Sequence, residues 1–161
     1  MQVKHTLKPI YNEYSKILIL GSMPSITSRE KNFYYSHKTN RFWKILSLLF
    51  NTTFNNIEDK KNFLLNNKIA LFDMIKSCEI DGSSDSSIKN IKINNLKPIL
   101  KESNIKCVFC EGKLAYNLFA KYYKKLNIEY FYLPSTSSAN AKYSLNKLVN
   151  EYKIIKEKLD S

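Results

Sequence analysis

The sequence predicts an α/β fold, a three-layer α/β/α sandwich built on a mainly parallel central sheet of about four strands. Short apolar, strand-like runs occur at residues 16–20, 68–74, 105–110 and 129–133. Between them, apolar residues recur at helical spacing, so strand and helix alternate along the chain. A length of 161 residues with 43% hydrophobic content fills one good core and scarcely two, so a single domain over 1–161 is expected.

After the first run come a loop and then residues 41–50, where Phe42, Ile45, Leu46 and Leu49 make one apolar helical face suited to packing on the sheet. Gly112 follows the third run, and Leu114, Leu118, Tyr122 and Leu126 then fall four residues apart, which predicts a second crossover helix. Leu145, Leu148, Val149, Tyr152, Ile155 and Leu159 define a closing amphipathic helix whose other face is rich in lysine, as solvated surface is. The chain has no internal repeat, heptad seam or long linker, and its Gly/Ser-rich stretch at 81–87 reads as a loop. In open sheets of this class, ligands gather beyond the carboxyl ends of the strands, so chemistry is sought in the loops that follow them.

Twenty-six Lys and Arg against 14 Asp and Glu leave a net charge of +12. Such an excess attracts polyanions and makes nucleic acid the leading partner, although a Lys-, Asn- and Ile-rich chain also results from biased base composition in a source genome. No apolar run approaches the ~20 residues that span a bilayer, and no apolar stretch follows the two early cations. A soluble, unexported, cytoplasmic protein without a membrane partner is expected. Cys78, Cys107 and Cys110 are odd in number and accompany only two histidines, so three reduced thiols and no metal site are expected. Cys107 and Cys110 have CxxC spacing, but Val108 and Phe109 between them suit a buried strand better than a redox turn. No motif implies an organic cofactor.

Directly after the first strand stands Gly21-Ser22-Met23-Pro24-Ser25. Glycine permits a tight turn there and proline restricts the residue before it, so the loop can aim backbone N–H groups at a ligand or serve as an ordinary turn. Further on, Asn32-Phe33-Tyr34-Tyr35-Ser36-His37-Lys38-Thr39-Asn40-Arg41-Phe42-Trp43 puts adjacent aromatics, a histidine, cations and an amide into one loop. Aromatics on a basic surface suit stacking on unpaired bases, while Phe33 and at least one tyrosine also suit sealing the core. Asn40, just before the helix, is equally placed to be its N-cap.

These residues resemble the first active-site segment of the uracil-DNA glycosylase superfamily, particularly its mismatch-specific and hypoxanthine-DNA glycosylase branches. Leu71-Phe72-Asp73-Met74, then Ser77-Cys78-Glu79 and Gly82-Ser83-Ser84-Asp85-Ser86-Ser87-Ile88, resemble a central segment of the hypoxanthine branch, and Leu133-Pro134-Ser135-Thr136-Ser137-Ser138-Ala139-Asn140 is similar to its second DNA-facing loop. The resemblance implies a three-layer fold and a monofunctional glycosylase acting as a monomer on DNA that carries a deaminated base. Mismatch-specific members position the attacking water with an asparagine where this chain has Met23; in the hypoxanthine branch that task falls to the asparagine matching Asn40. Proline is common in the second loop where Ser138 stands here.

Hydrolysis of an N-glycosidic bond makes the sugar cation-like while the departing base gathers negative charge, so the site needs a water and hydrogen-bond donors. The resemblance assigns Asn40 to catalysis, its amide oxygen orienting the water, and Tyr35 to stacking on the flipped base, with Tyr34 in reserve. Gly21, Ser22 and Met23 are expected to bind the base through their backbone. Pro24, Ser25, His37, Pro134, Ser135, Thr136, Ser137 and Asn140 are the expected DNA contacts. Asp73 and Asp85 read as hydrogen-bond organisers, with a catalytic carboxylate the lesser alternative. A uracil-preferring enzyme of the same fold is the nearest rival, followed by a module that binds nucleic acid without cutting it. A small-molecule α/β enzyme ranks last, for want of a phosphate-binding Gly-rich motif or a nucleophile triad.

Overall fold

A computed structural model of the chain describes residues 1–81 and 87–161. Strands β2 (Ile17–Gly21), β3 (Ile69–Asp73), β6 (Cys107–Glu111) and β7 (Glu129–Leu133) form a parallel sheet in the order β3-β2-β6-β7. Every residue of β2, β3 and β6 is buried, as strands covered on both faces require. Those strands are near-continuous runs of Ile, Leu, Val and Phe, so the predicted parallel sheet of four is the sheet observed.

From β2 the chain crosses to β3 on one side, then returns past β2 to β6 on the other. With right-handed crossovers, that reversal places successive helices on opposite faces and opens a crevice at the carboxyl ends of β2 and β6. Helix α2 (Phe42–Phe50) packs on the closing helix α6 (Leu145–Asp160), while α5 (Lys113–Tyr123) lies along β6 and β7. Helices α1 (Ile26–Lys31), α3 (Ile57–Asn66) and α4 (Lys97–Glu102) complete the crossovers. The outer edge of β3 is covered by Ile10, which exchanges two backbone hydrogen bonds with Leu71.

One expectation needs correction. The four-residue stripe on α5 does not stay on the core side: Ala115, Leu118, Phe119 and Tyr123 are the buried face, whereas Tyr122 and Leu126 are exposed. Steps of four advance about 400° at 3.6 residues per turn, so such a stripe drifts off the core face. The chain after β3 also forms elements that the apolar runs did not announce. Strand β4 (Ile75–Glu79) pairs antiparallel with β1 (Gln2–Lys4) and β5 (Lys89–Ile93) in a second sheet, whose partners come from distant parts of the chain. The central-segment residues Gly82, Ser83, Ser84, Asp85 and Ser86 lie outside the described residues.

Cys78, Cys107 and Cys110 are all buried. Burial, seconded by the Glu129 charge, raises the Cys107 thiol to about 11, and burial with Cys107 nearby raises Cys110 to about 12, so both are protonated packing residues at neutral pH. Among the described residues no helix is long and apolar enough to cross a membrane, and no group of three or more His, Cys, Asp or Glu is arranged to hold a metal ion.

On α2, Leu46 is fully buried and Leu48 is 54% exposed. Leu46→Ala is expected to lower the unfolding free energy by about 2–5 kcal/mol in urea titrations, and Leu48→Ala by under about 0.5 kcal/mol.

Candidate active site

Three loops meet beyond the carboxyl ends of β2 and β6: residues 21–25, residues 33–41 and residues 134–140. The first is held by its carbonyls, Gly21 O accepting from Met74 N at 2.8 Å and Ser22 O from Ile75 N at 2.9 Å, and these bonds leave the Ser22 and Met23 N–H groups unspent. A Cβ on Gly21 would stand 2.5 Å from Asp73 Oδ1 and 3.2 Å from the Tyr35 hydroxyl. The absence of a side chain is what lets the carboxylate and the phenol gather over the strand end. Met23 and Pro24 are half-buried in this loop. Ser25 caps α1: its Oγ accepts from Ser28 N at 3.1 Å and donates to Ser28 Oγ at 3.2 Å, so the hydroxyl expected to meet a phosphate is spent on the helix start.

The aromatic loop divides as its chemistry suggests. Phe33 and Tyr34 turn inward; Tyr34 is 3% exposed, donates its hydroxyl to Lys8 O at 2.8 Å, and its carbonyl accepts from Trp43 Nε1 at 3.0 Å. Its ring is core, which removes it as the reserve stacking residue. Tyr35 is half-buried, with its ring stacked on Phe42 at a centroid distance of 3.9 Å. Its φ of 53° is a left-handed conformation that costs a residue with a side chain about 1–3 kcal/mol and turns the ring away from the path taken by Tyr34. The phenolic oxygen is buried beside Glu111 and Asp73; burial first, then those charges, push its pKa well above the usual value, so it stays protonated. His37 is exposed, and its Nδ1 accepts from Thr39 Oγ1 at 2.8 Å, which in turn meets Ser138 Oγ at 3.0 Å across the two loops.

Asn40 occupies the centre. Its Oδ1 accepts from Phe42 N at 2.9 Å, an Asx-type contact made from the residue before Arg41, which is the N-cap of α2, and stands 2.9 Å from Thr136 Oγ1. With both lone-pair directions of the oxygen occupied, the amide nitrogen is the end left for a ligand. Thr136 was expected on the DNA surface but is fully buried: its N–H donates to Glu111 Oε1 at 2.8 Å and its Oγ1 lies 2.7 Å from the same oxygen. Pro134 is likewise buried, its carbonyl accepting from the Tyr152 hydroxyl at 2.6 Å. Both residues brace the loop from within. Ser135 Oγ accepts from Ser137 N and Ser137 Oγ from Ala139 N, each at 3.2 Å, which leaves both hydroxyl protons available to a phosphate oxygen. The Asn140 amide is turned back onto Ser135 O at 3.0 Å.

Sequence reasoning named no role for Arg41 and Glu111, which fasten these loops together, and read Asp73 as the hydrogen-bond organiser it is. Arg41 donates through Nη2 to Ser137 O (2.6 Å) and Asn140 O (3.2 Å), through Nη1 to Tyr143 O, and through Nε to Thr136 O (3.3 Å); its own backbone N–H also donates to Thr136 O at 3.1 Å. Glu111 is a fully desolvated carboxyl; burial raises its pKa, Asp73 raises it further, and hydrogen bonds from Thr136 and Tyr35 partly offset this. Asp73 binds His5 Nε2 at 2.8 Å and, through its backbone carbonyl, Asn94 Nδ2 at 2.9 Å, so it organises the strand end. A carboxylate ending a buried apolar strand, as in Cys107-Val108-Phe109-Cys110-Glu111, is the sequence signal that could have found Glu111.

Arg41→Lys keeps the charge but not the planar fork, and an ammonium cannot serve four carbonyls in that arrangement. We expect a loss of about 2 kcal/mol, or ~4–8 °C in Tm, with faster hydrogen exchange at the amides of residues 136–140. Calorimetry and exchange mass spectrometry read both, and unchanged exchange would rule out the staple.

The sequence profile of the uracil DNA glycosylase superfamily matches residues 9–158. A hypoxanthine DNA glycosylase of Methanosarcina barkeri is 36% identical over 114 residues, 68% of this chain and 72% of the relative. One of Methanosarcina acetivorans is 31% identical over 150 residues, 90% of this chain and 93% of the relative. A candidate uracil DNA glycosylase from Methanosarcina acetivorans, solved by solution NMR, superposes over the full length of both chains with a TM-score of 0.86 at 28% identity. A match that spans the sheet, its three crossovers and all three loops of the site leaves one assignment: the chain belongs to the uracil DNA glycosylase superfamily.

Proposed function

We propose that this protein is a monofunctional DNA glycosylase that hydrolyses the N-glycosidic bond of hypoxanthine in DNA, working as a monomer inside the cell. The observation that carries the reading is the Asn40 amide, fixed at the start of α2 among the three loops, in a chain whose first loop offers only Met23 where a water-positioning asparagine would stand. The name borne by the two Methanosarcina relatives supports hypoxanthine over uracil.

The net charge of +12 draws the protein to the DNA backbone, and the Ser135 and Ser137 hydroxyls and exposed His37 are placed to meet phosphates. Flipping the base out costs a few kcal/mol, and less where it is mispaired, as hypoxanthine opposite thymine is. Tyr35, backed by Phe42, supplies the stacking platform. As the bond breaks, negative charge builds on the departing base. The amide nitrogen of Asn40 donates to it, joined by the N–H groups of Ser22 and Met23, and stabilises the transition state more than the ground state. The oxygen of Asn40 serves the protein, so the expected role of that oxygen in orienting water passes to the nitrogen as a donor. Water captures the cation-like sugar with little nucleophilic assistance.

Base release from labelled duplexes carrying hypoxanthine or uracil, at one fixed salt concentration, tests this. Hypoxanthine release is expected, with loss of about 100-fold or more in Asn40→Ala at undiminished DNA binding. Asn40→Asp, which keeps the oxygens and lacks the amino group, is expected to be as inactive; an active variant would return the role to the oxygen. Preferential uracil release would move the protein to another branch of the superfamily, and binding without release would make it a binding module. Strand scission at the abasic site without alkali is not expected, since no lysine is set up to form a Schiff base.

A further inference from the structure

We propose that Glu111 is a positioning residue that acts as a neutral carboxylic acid: through the Thr136 hydroxyl it holds the Asn40 amide with its oxygen inward and its nitrogen toward the substrate. The inference rests on the glycosylase reading above and assigns the residue that orients its catalytic group.

The hydroxyl of Thr136 has too few protons for the contacts it makes. Thr136 Oγ1 lies 2.7 Å from Glu111 Oε1 and 2.9 Å from Asn40 Oδ1. Both neighbours are oxygens, and the amide cannot be turned to offer its nitrogen instead, because Phe42 N–H donates to Oδ1 at 2.9 Å and needs an acceptor there. Each oxygen–oxygen contact requires one proton between its atoms, yet the threonine hydroxyl owns a single proton. The second can come only from Glu111. A protonated Glu111 donates to Thr136 Oγ1, which donates to Asn40 Oδ1, and the chain is satisfied along its length. An ionised Glu111 would draw the threonine proton to itself and leave two lone pairs facing each other at Asn40.

The surroundings agree with the neutral form. Glu111 is buried, and the ion pairs among the described residues, His5 with Asp73 and Lys158 with Glu129, do not include it. The groups facing it are Tyr35 from the aromatic loop, Asp73 from the end of β3 and Tyr152 from α6. Arg41 spends its guanidinium on the carbonyls of the second loop and its following turn. Burial and the Asp73 charge both hold the carboxyl pKa above its ordinary value. Glu111 Oε2 and the Tyr35 hydroxyl are each buried without a partner at hydrogen-bond geometry, although they face each other closely enough to interact. With the acid proton on Oε1, Oε2 is a carbonyl-type acceptor turned toward the phenol's proton.

Glu111→Gln discriminates, because the glutamine oxygen that accepts from Thr136 N–H can still accept the threonine proton but cannot donate one to it. The expected result is a fall of about tenfold in the single-turnover rate of base release, the loss of one hydrogen bond's contribution, with DNA affinity within about twofold. Thr136→Val should lose about as much, Thr136→Ser should restore most of it, and the double variant Glu111→Gln/Thr136→Val should be no slower than either single one. A wild-type rate in Glu111→Gln would overturn the proposal. A second measurement does not depend on activity: the infrared difference between wild type and Glu111→Gln at pH 7 should show a protonated-carboxyl C=O band, and its absence would equally overturn it. Linkage gives the same sign. With a raised folded pKa, stability from this group is complete below about 4.5 and is lost as pH rises through the folded value, so Glu111→Gln should gain on wild type across that window. If wild type releases no base, the glycosylase reading fails instead, while the infrared band still reports on Glu111; normal release by Asn40→Ala would leave a glycosylase in which Asn40 has no catalytic role, and would overturn the positioning proposal with it.

Discussion

One guanidinium holds two loops of the site in register. Arg41 stands at the junction of the aromatic loop and α2, and its fork reaches carbonyls at residues 136, 137, 140 and 143. Carbonyls on a tight loop would otherwise point into solvent or into each other, and few side chains other than arginine have enough fixed donors to gather four of them. Because Asn40 is the residue immediately before it, the same contact sets the distance between the Asn40 amide and Thr136. Arg41 therefore decides where the Asn40 amide sits.

Beneath this staple lies an expensive cluster of polar groups. Asp73, Glu111, Tyr35, His5 and Thr136 meet over the ends of the apolar strands β3 and β6, where desolvation opposes every charge. Each is placed by the topology: the strand order reverses at β2, the adjoining loops diverge, and the crevice they leave collects the residues ending each strand. Gly21 completes the arrangement by being absent as a side chain. Such a cluster costs stability and yields rigidity, because satisfied buried networks admit few alternative geometries. A site that must hold donors ready before charge develops benefits from that rigidity.

The sheet was legible in the sequence because strands covered on both faces must be apolar throughout, and helices packed on one side must repeat at 3.6 residues; Ile17 to Leu20 and the Leu148, Tyr152, Ile155 stripe obey these rules locally. The three-stranded sheet of β1, β4 and β5 was not, since its pairing joins residues 2–4, 75–79 and 89–93 and short amphipathic edges carry little local signal. The site followed the same division. Residue types drew attention to the aromatic loop with Asn40, while the Gly21 loop and the Pro134 to Asn140 loop took their chemical reading from the family resemblance. Sorting within them needed tertiary contacts: two adjacent tyrosines share a chemistry, and only the left-handed backbone at Tyr35 and the buried hydroxyl of Tyr34 separate platform from core.

What the sequence by itself determined is therefore the layer architecture and the polyanion-seeking charge, which depend on residue type and local spacing, and, through the family resemblance, the three loops. The tertiary structure alone decided that Thr136 faces inward, that Arg41 and Glu111 lie among the three loops, and that the oxygen of the Asn40 amide is bonded within the protein. Those outcomes depend on hydrogen-bond partners nearly 100 residues apart, such as Asn40 and Thr136, and on the count of protons between them, which no local pattern encodes.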